Sequence, residues 1–340
     1  DWSSDVCSSD LAIFVFLLVI LLHELGHFTV AKLVGIRVNE FSIGMGPKLI
    51  QTRKGETQYT LRALPIGGYV KMEGEDEDSS DPRAFNSVSP LARIAVVAAG
   101  AIMNFVLAII VFSIVSFNLG EPTNIIGEII ADSPAQYGGV MEGDKIISIN
   151  NIPINTWEDL SETIASSDSN EDLQISLIRD NEEMSLNIQP TIEEGRVMLG
   201  IIPFYEKSFL AGIRGGFTYT ATFIAMMFDF IRMIFTGGVG LNDLAGPVGV
   251  ITEIGNAARM GMMNLLILLG YISVNLGFLN LLPIPALDGS RLVFLLIELI
   301  RGKPVNPERE NLIHFVGIIF LLGLMLVVTY KDLLRINIFG

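Results

Sequence analysis

The stretch LLVILLHELGHFTVAKLVG (residues 17–35) places two histidines and a glutamate inside an apolar run typical of a membrane-spanning helix. Polar groups are costly at membrane depth, at roughly 2.5–3.5 kcal/mol for one ionised residue on insertion scales. Three such groups in one helix therefore predict a use for them within the membrane.

The rest of the chain is apolar in the same block-like way. It has 340 residues and 17% charged residues, with a mean hydropathy of +0.52, whereas a soluble domain carries about 25% charge. Three further blocks contain no charged residue: 94–117, 263–282 and 312–329. Each is about long enough to cross a ~30 Å hydrocarbon core. We predict a polytopic α-helical membrane protein with about four transmembrane helices.

The first ten residues do not fit this pattern. They are polar and rich in Ser and Asp, and they run directly into the apolar segment. We expect residues 1–10 to be a non-native scar; a short native extracytoplasmic tail is the alternative. Cys7 is the only cysteine and lies within this stretch, so no disulfide or cysteine metal site is expected.

The net charge of −15 is unevenly placed and predicts the orientation. Residues 32–93 hold nine Lys and Arg, whereas residues 121–206 hold three against seventeen Asp and Glu. Because Lys and Arg near the spans favour the cytoplasmic side, the first loop is expected in the cytoplasm and the acidic middle segment outside. Four more basic residues between 291 and 309 fit a second cytoplasmic loop.

The segments between the spans differ in pattern. Residues 40–72 alternate apolar and polar residues with glycines, which favours β-hairpins, and the acidic run 73–81 is typical of a solvated loop. Residues 217–235 are apolar but contain Asp229 and Arg232. We predict an amphipathic helix there, lying on the outer surface or packed on the helix bundle, rather than a fifth span.

The acidic middle segment predicts a small α+β domain. From residue 120 the expected order is a strand, a helix start at Ser-Pro-Ala, a Gly-Asp turn, a strand, a second helix and two further strands. Within it, the stretch SPAQYGGVMEGDKIISINN (residues 133–151) resembles a PDZ domain of the circularly permuted bacterial type. PDZ domains bind extended peptides by adding a strand at a sheet edge, and Leu199, Gly200 and Ile201 are the predicted edge. The expected ligands are peptide C-termini or unfolded segments. The alternative is an extracytoplasmic domain that only fills space.

The predicted organisation follows from these segments. It comprises a scar at 1–10, a first transmembrane helix at 11–36, a β-hairpin region with an acidic loop at 37–90, a second transmembrane helix at 91–118, a PDZ domain at 119–205, an amphipathic linker at 206–262, a third transmembrane helix with its LDG segment at 263–300 and a fourth transmembrane helix at 307–332.

The spacing of the polar residues in the first helix indicates a metal centre. His23 and His27 are four residues apart, about 40° around the helix and roughly 6 Å along it, so both imidazoles can reach one ion. With Glu24 they form H-E-x-x-H, two zinc ligands and a general base. The alternative is two histidines hydrogen-bonded between helices. His314, a lone histidine near a helix start, is expected to be interfacial rather than a ligand.

Catalytic zinc takes three protein ligands and leaves a fourth position for water. No further histidine qualifies readily, which leaves a carboxylate near another span. Asp288 in NLLPIPALDGSRL (residues 280–292) follows two prolines that interrupt helical hydrogen bonding, and we expect it in a non-helical turn with Gly289. From these residues alone, a helix-capping role for Asp288 is as well supported as a metal-ligand role.

The chain resembles the site-2 protease family of intramembrane zinc metalloproteases in three motifs taken together: HELGH, Gly100–Asn104 in AGAIMNF, and NLLPIPALDG. A PDZ-like domain lies between the second and third motifs. The bacterial regulator-of-sigma-E type is the most similar, over residues 11–335. The resemblance implies that His23, His27 and Asp288 bind zinc and that Glu24 activates water. It also implies that Asn275, Asn280, Pro283 and Pro285 help hold the substrate segment, and that the glycines at 44, 46, 67 and 68 belong to a membrane-associated hairpin that presents it. Ala101 replaces a proline common in the family, and one PDZ domain stands where some relatives have two.

The resemblance also implies a location and partners. It places the chain in the bacterial inner (cytoplasmic) membrane, with the PDZ domain extracytoplasmic and the active site toward the cytoplasm. The implied partners are membrane lipid and single-span membrane-protein substrates, either anti-sigma factors or remnant signal peptides. No nucleic-acid partner is expected. A catalytically inactive scaffold acting through its PDZ domain would be expected to lack a ligand or the base. A transporter would be expected to show paired intramembrane charges or repeated halves.

Overall fold

The computed structural model describes residues 2–75, 77, 79–193, 195–238 and 246–335. The chain divides into two compact units, one made of residues 1–115 with 216–340 and the other of residues 116–215. Parts of the predicted scar, acidic loop and linker lie outside the described residues (residue 1, residues 76 and 78, and 239–245). Residues 2–10 belong to the first helix, and their expected non-native origin stays a prediction.

The described helices are, in chain order, α1 (Trp2–Leu33), α2 (Pro90–Leu119), α3 (Pro134–Tyr137), α4 (Trp157–Ala165), α5 (Phe209–Thr236), α6 (Pro247–Arg259), α7 (Met262–Leu281), α8 (Asp288–Arg301) and α9 (Pro307–Arg335). The described strands are β1 (Val38–Lys54), β2 (Thr57–Met72), β3 (Glu121–Ile129), β4 (Lys145–Ile149), β5 (Ile152–Pro153), β6 (Leu173–Arg179), β7 (Glu182–Ile188), β8 (Thr191–Glu193), β9 (Arg196–Met198) and β10 (Ile201–Glu206).

Five of these helices are long and apolar enough to cross a membrane: residues 10–33, 90–119, 209–236, 262–281 and 308–334. The amphipathic helix expected at 217–235 is part of α5, which has 28 residues. In α5 the ring of Phe223 stacks on Phe112 of α2 at 5.2 Å, and Phe228 meets Phe278 of α7 edge-on at 4.9 Å. The helix therefore runs along α2 and α7, and the count of four spans stays a prediction.

The predicted linker also contains a second helix, α6, which is tied to α9. The Asp332 carboxylate, 4% exposed, accepts hydrogen bonds from the backbone N–H groups of Gly246 at 3.2 Å and Gly249 at 2.8 Å. Those groups lie at the start of α6, where backbone donors lack helical partners. A buried carboxylate from α9 thus supplies the cap that the α6 sequence itself does not provide.

The predicted hairpin region forms one hairpin that folds back on itself. Glu40 lies opposite both Lys71 and Gln58, and Ile43 lies opposite both Gly68 and Leu61. The first part of β1 is therefore sandwiched between the two halves of β2, and residues 68–72 are left at one edge of the sheet.

The hairpin is held to the helices by apolar packing and by charge. Phe41, Val70 and Met72 are buried in one cluster with residues of α1, α2 and α8. In the hairpin turn, the Glu56 carboxylate accepts hydrogen bonds from Lys32 at 2.6 Å and Arg83 at 2.8 Å, and these bonds hold the pKa of Glu56 below its usual value. The hairpin is thereby anchored at the end of α1.

The second unit has the order of elements that the sequence predicts for a PDZ domain. Its main sheet runs β10-β3-β4-β6-β7, and buried Ile, Leu and Val side chains from the strands and α4 form its core. Thr156 and Asp159 cap α4 reciprocally, and the backbone N–H groups of Asn155 and Thr156 lower the pKa of Asp159. The local signals of strand, turn and cap in this segment agree with its tertiary structure.

The predicted peptide edge needs one correction. β10 does lie at the end of the sheet, but Leu199 and Gly200 precede it and only Ile201 belongs to the strand. The carbonyl oxygens of Leu199 and Gly200 accept hydrogen bonds from the N–H groups of Ala135 and Ile130, both at 2.9 Å. These two residues lie between β9 and β10, and Gly200 has φ +78°, a conformation that glycine adopts freely.

Removing the Asp144 carboxylate should destabilise this unit. Asp144 is 1% exposed and makes two 2.7 Å hydrogen bonds to Arg179. Breaking such a pair leaves a cation without its partner and costs about 3–5 kcal/mol. We expect Asp144→Ala to raise amide hydrogen exchange throughout residues 121–206, measured by mass spectrometry. Exposed Glu183 provides the control, and equal exchange in Asp144→Ala and Glu183→Ala would contradict the expectation.

Candidate metal centre

His23 and His27 present their ring nitrogens to each other from successive turns of α1. Their Nε2 atoms are 3.2 Å apart, and the ring planes are nearly perpendicular, at 85°. Both side chains are about nine-tenths buried. The four-residue spacing therefore brings two nitrogen donors together, as predicted.

Contacts from α2 fix the orientation of both rings. His27 Nδ1 lies 2.9 Å from the carbonyl oxygen of Val96, so Nδ1–H donates and Nε2 keeps its lone pair. His23 Nδ1 lies 3.2 Å from the side-chain amide of Asn104, whose main-chain oxygen accepts a hydrogen bond from Ser273 at 2.8 Å. The sequence motif indicated Asn104. The contact with Val96 could not be predicted, because it is made by a main-chain carbonyl that every residue has.

The close contact of α1 and α2 depends on two glycines. A Cβ atom at Gly26 would lie 2.4 Å from the Ala99 carbonyl oxygen, and one at Gly100 would lie 2.4 Å from His27 Nε2. Such distances are far below van der Waals contact, so any side chain here would displace the histidines or separate the helices. Gly100 thus forms one wall of the site, which explains the glycine of the predicted Gly100–Asn104 motif.

Asp288 completes the group. Its Oδ2 atom lies 3.2 Å from His23 Nε2 and 3.3 Å from His27 Nε2. The predicted non-helical turn ends one residue earlier, because Leu287 occupies the N-cap position and Asp288 is the first residue of α8. The alternative of a helix-capping side chain is not what the geometry shows, since the carboxylate faces the histidines.

These three groups fit a metal ion. Donor atoms at about 2.0–2.1 Å from a tetrahedral ion lie about 3.3–3.4 Å from one another, close to the three observed separations of 3.2, 3.2 and 3.3 Å. Asp288 Oδ2 is also buried without a hydrogen-bond partner, and a buried polar atom of this kind needs an explanation. A nitrogen, nitrogen and oxygen donor set suits zinc.

Glu24 lies beside this cluster, against the hairpin. A Cβ atom at Gly68 would lie 3.1 Å from Glu24 Cγ, so the glycine lets the edge of β2 approach the carboxylate. Glu24 is partly buried. The predicted base thus lies on the same helix as the two histidines and against the sheet edge formed by residues 68–72.

The other predicted site residues lie on or after α7, apart from Gly67 in β2. Asn275 donates a hydrogen bond to the Tyr271 carbonyl oxygen on its own helix at 2.9 Å, and Asn280 is buried in the last turn of α7. Pro283 is exposed and Pro285 half-buried in the segment between α7 and α8. Gly67 has φ +83° and lies in β2 next to Gly68. The described contacts do not bring these residues into the metal cluster, and their substrate role stays a prediction.

Comparison with known families agrees with this geometry. The family model described as Peptidase family M50 matches residues 11–324. The chain belongs to the M50 family, the site-2 proteases. It is therefore a metalloprotease, and its long apolar helices mark it as an integral membrane protein.

Relatives of this M50 protease match along nearly their whole length. A protein of Clostridium acetobutylicum that is provisionally named a zinc metalloprotease is 42% identical, over 95% of this chain and 96% of the relative. The zinc metalloprotease RasP of Bacillus licheniformis is 33% identical, over 95% of this chain and 98% of the relative. The regulator of sigma-W protease RasP of Bacillus subtilis is 31% identical, over 95% and 97%.

Among solved structures, the M50 protease is similar over a short region to PDZ domains. One is the PDZ domain of an SdrC-like protein of Listeria monocytogenes, at 18% identity and a TM-score of 0.22, over 24% of this chain and 87% of that one. Another is the HtrA3 PDZ domain bound to a phage-derived ligand, at 26% identity and a TM-score of 0.19, over 22% of this chain and 62% of that one. With such low scores, the PDZ assignment continues to rest on the order of elements.

Asp288→Asn should weaken metal binding in this M50 protease. The amide keeps the size of the carboxylate but loses its charge, and it is a poorer ligand for zinc. We expect zinc content after gel filtration to fall from about one ion per chain to well under half, measured by plasma mass spectrometry. Asp229→Asn, on α5, is the matched control. Unchanged zinc in Asp288→Asn would refute a ligand role for Asp288.

Proposed function

We propose that this M50 protease is an intramembrane zinc metalloendopeptidase that hydrolyses peptide bonds within or near the transmembrane segments of single-span membrane proteins. The observation that carries the proposal is the convergence of His23, His27 and Asp288 to 3.2–3.3 Å, with both histidines inside an apolar 24-residue candidate span. Burying these groups in such a helix is costly, and a metal centre accounts for it.

The proposed chemistry divides between the metal and Glu24. When bound, zinc lowers the pKa of a coordinated water toward about 7 and polarises the scissile carbonyl. Glu24 accepts the proton that the attacking water gives up, and it then donates this proton to the nitrogen of the leaving amine. The Val96 carbonyl oxygen accepts from His27 Nδ1–H and so leaves the Nε2 lone pair of His27 for the site. The Asn104 side-chain amide contacts His23 at Nδ1, on the side of the ring away from the site.

The free edge of β2 is the proposed place where substrate is held. Residues 68–72 form an edge of the sheet, and Gly68 contacts Glu24. A transmembrane helix must unwind before its carbonyls can be attacked, because its backbone groups are hydrogen-bonded internally. Pairing of the unwound segment with this edge satisfies those groups next to the base. Asn275, Asn280, Pro283 and Pro285 are proposed to hold the segment from the α7 side.

Charge supports the proposed orientation in a bacterial inner membrane. His23 and His27 lie in the second half of the candidate span 10–33, toward Lys32 and the basic loop that follows. Since such loops face the cytoplasm, the active site opens toward the cytoplasmic side. The PDZ-like unit is then extracytoplasmic, and its β10 edge is proposed to bind peptide C-termini or unfolded segments.

The proposed substrates follow from the relatives' names and from the site. One relative is a regulator of sigma-W protease. We propose that this chain likewise acts in regulated proteolysis, with single-span anti-sigma factors or remnant signal peptides as substrates. Both present one helix that can enter a cavity within the membrane.

The test is cleavage by the full chain in liposomes, with a tagged single-span protein as substrate. We expect products that end within or next to the span, identified by mass spectrometry. Zinc chelation should stop cleavage and added zinc should restore it. Cleavage confined to the soluble flanks would overturn the proposal. Binding of substrate without any cleavage would instead favour the catalytically inactive scaffold.

A further inference from the structure

His314 reaches from α9 to the short turn that carries Asp288. Its Nδ1 atom lies 3.2 Å from the backbone nitrogen of Ala286, two residues before Asp288. The Ala286 N–H therefore donates to Nδ1, and the neutral imidazole carries its own proton on Nε2. The residue expected to be merely interfacial is thus bonded to the backbone next to the site.

The turn that it holds is an unusual one. Ala286 has φ +75°, a left-handed conformation that a residue with a Cβ rarely adopts. Such a conformation persists only where the surroundings impose it. The two prolines before it prevent a continuous helix from α7 into α8, so α7 alone does not determine where Asp288 lies.

One turn further along α9, Gly317 makes a second contact with this segment. A Cβ atom at Gly317 would lie 2.3 Å from Pro285 Cβ and 2.7 Å from the Pro285 carbonyl carbon. His314 and Gly317 are three residues apart and share one face of α9. That face therefore meets two consecutive residues of the turn, one through a hydrogen bond and one through close backbone packing.

Other contacts limit the freedom of both partners. The His314 ring meets Phe294 of α8 edge-on, with centroids 6.0 Å apart, and Glu310 Oε1 lies 3.9 Å from His314 Nε2. On the α7 side, a Cβ atom at Gly289 would lie 2.0 Å from the Leu282 carbonyl oxygen. The start of α8 is thus fixed between the end of α7 and the face of α9.

We propose that His314 is a positioning residue for the metal centre: by anchoring the Ala286 N–H, it sets where the Asp288 carboxylate lies relative to His23 and His27. The inference rests on the proposed function, since it concerns the third ligand of that site. It assigns α9 a role in the active site although no α9 side chain belongs to the cluster of His23, His27 and Asp288.

The test compares two substitutions of His314 in the full chain. His314→Phe keeps the ring and its contact with Phe294 but loses the acceptor. His314→Asn loses the ring but places an oxygen acceptor where Nδ1 was. We expect His314→Phe to weaken zinc binding about 10–100-fold and to lower kcat with KM within about twofold. His314→Asn should recover most of both.

The spectrum of the cobalt-substituted protein and a pair of glycine variants complete the test. His314→Phe should shift the visible Co²⁺ absorption bands, which a remote structural defect would not. If His314→Phe fails to fold, Gly317→Ala should give the same loss, because it displaces Pro285. Gly323→Ala, at a position with open space on the same helix, should not.

Two outcomes overturn the inference and can be told apart. The first is that both His314→Phe and Gly317→Ala have the zinc affinity and Co²⁺ bands of the unaltered chain. That result overturns the role of His314 but not the proposed function. An unaltered chain that binds no zinc and cleaves no single-span substrate overturns the proposed function together with the inference.

Discussion

Glu24→Gln is expected to abolish peptide hydrolysis while leaving zinc content and folding unchanged. The substitution keeps the shape of the side chain beside Gly68 but cannot accept a proton. General acid–base catalysis is worth about 10²–10⁴-fold, so kcat should fall by at least about 100-fold. The measurement is single-turnover cleavage of a single-span substrate in liposomes, with metal content determined on the same sample.

Glu77→Gln is the matched control, because Glu77 is exposed in the loop that follows the hairpin. Cleavage at the unaltered rate by zinc-loaded Glu24→Gln protein would remove Glu24 from the mechanism. The inactive variant also retains substrate for identification. Single-span proteins that co-purify with Glu24→Gln from native membranes, and not with the unaltered chain, are the candidate substrates.

Gly100→Ala should strongly lower the affinity of the protein for zinc. The added methyl group would lie 2.4 Å from His27 Nε2 and 2.7 Å from His23 Cε1. The helices cannot separate to make room without losing the contact of Gly26 with Ala99. We expect zinc affinity to fall by at least about 100-fold, measured by competition with a chromogenic chelator, and cleavage to fall with it.

Helix propensity does not confound this result, because alanine favours a helix over glycine by about 1 kcal/mol. Any loss must arise from the contact with the imidazoles. Gly323→Ala makes the same chemical change in α9, where the added methyl group would meet no described atom within 4 Å beyond the adjoining residues and the helix's own backbone. Zinc affinity in Gly100→Ala equal to that in Gly323→Ala would contradict the described packing.

The local features of the site could be predicted from the sequence. The four-residue spacing of His23 and His27 is a property of one helix turn, so their convergence follows from the sequence alone. The identity of the third proposed ligand does not follow from the sequence. Asp288 has two equal interpretations in the sequence, because its partners are about 260 residues away and only tertiary structure brings them to 3.2–3.3 Å.

The fold shows the same division between local and distant information. Hydropathy predicted the apolar blocks, and turn and cap residues predicted the order of elements in residues 119–205. The double pairing of Glu40 and Ile43 with β2 could not be predicted, since a period of two residues does not say which strand lies opposite. The prediction of a helix at 217–235 missed the start of α5 at Phe209, whereas Asp229 and Arg232 counted only against a membrane span.

The wide separation of the metal ligands along the chain has a consequence for biosynthesis. His27 leaves the ribosome 261 residues before Asp288, and His23 earlier still. At about 5–20 residues per second, that interval is roughly 13–50 s. During this time the nascent chain has two of the proposed ligands and the proposed base but not Asp288, so we expect no competent protease beside the insertion machinery. On the proposed mechanism, activity begins only after Asp288 has been synthesised and inserted.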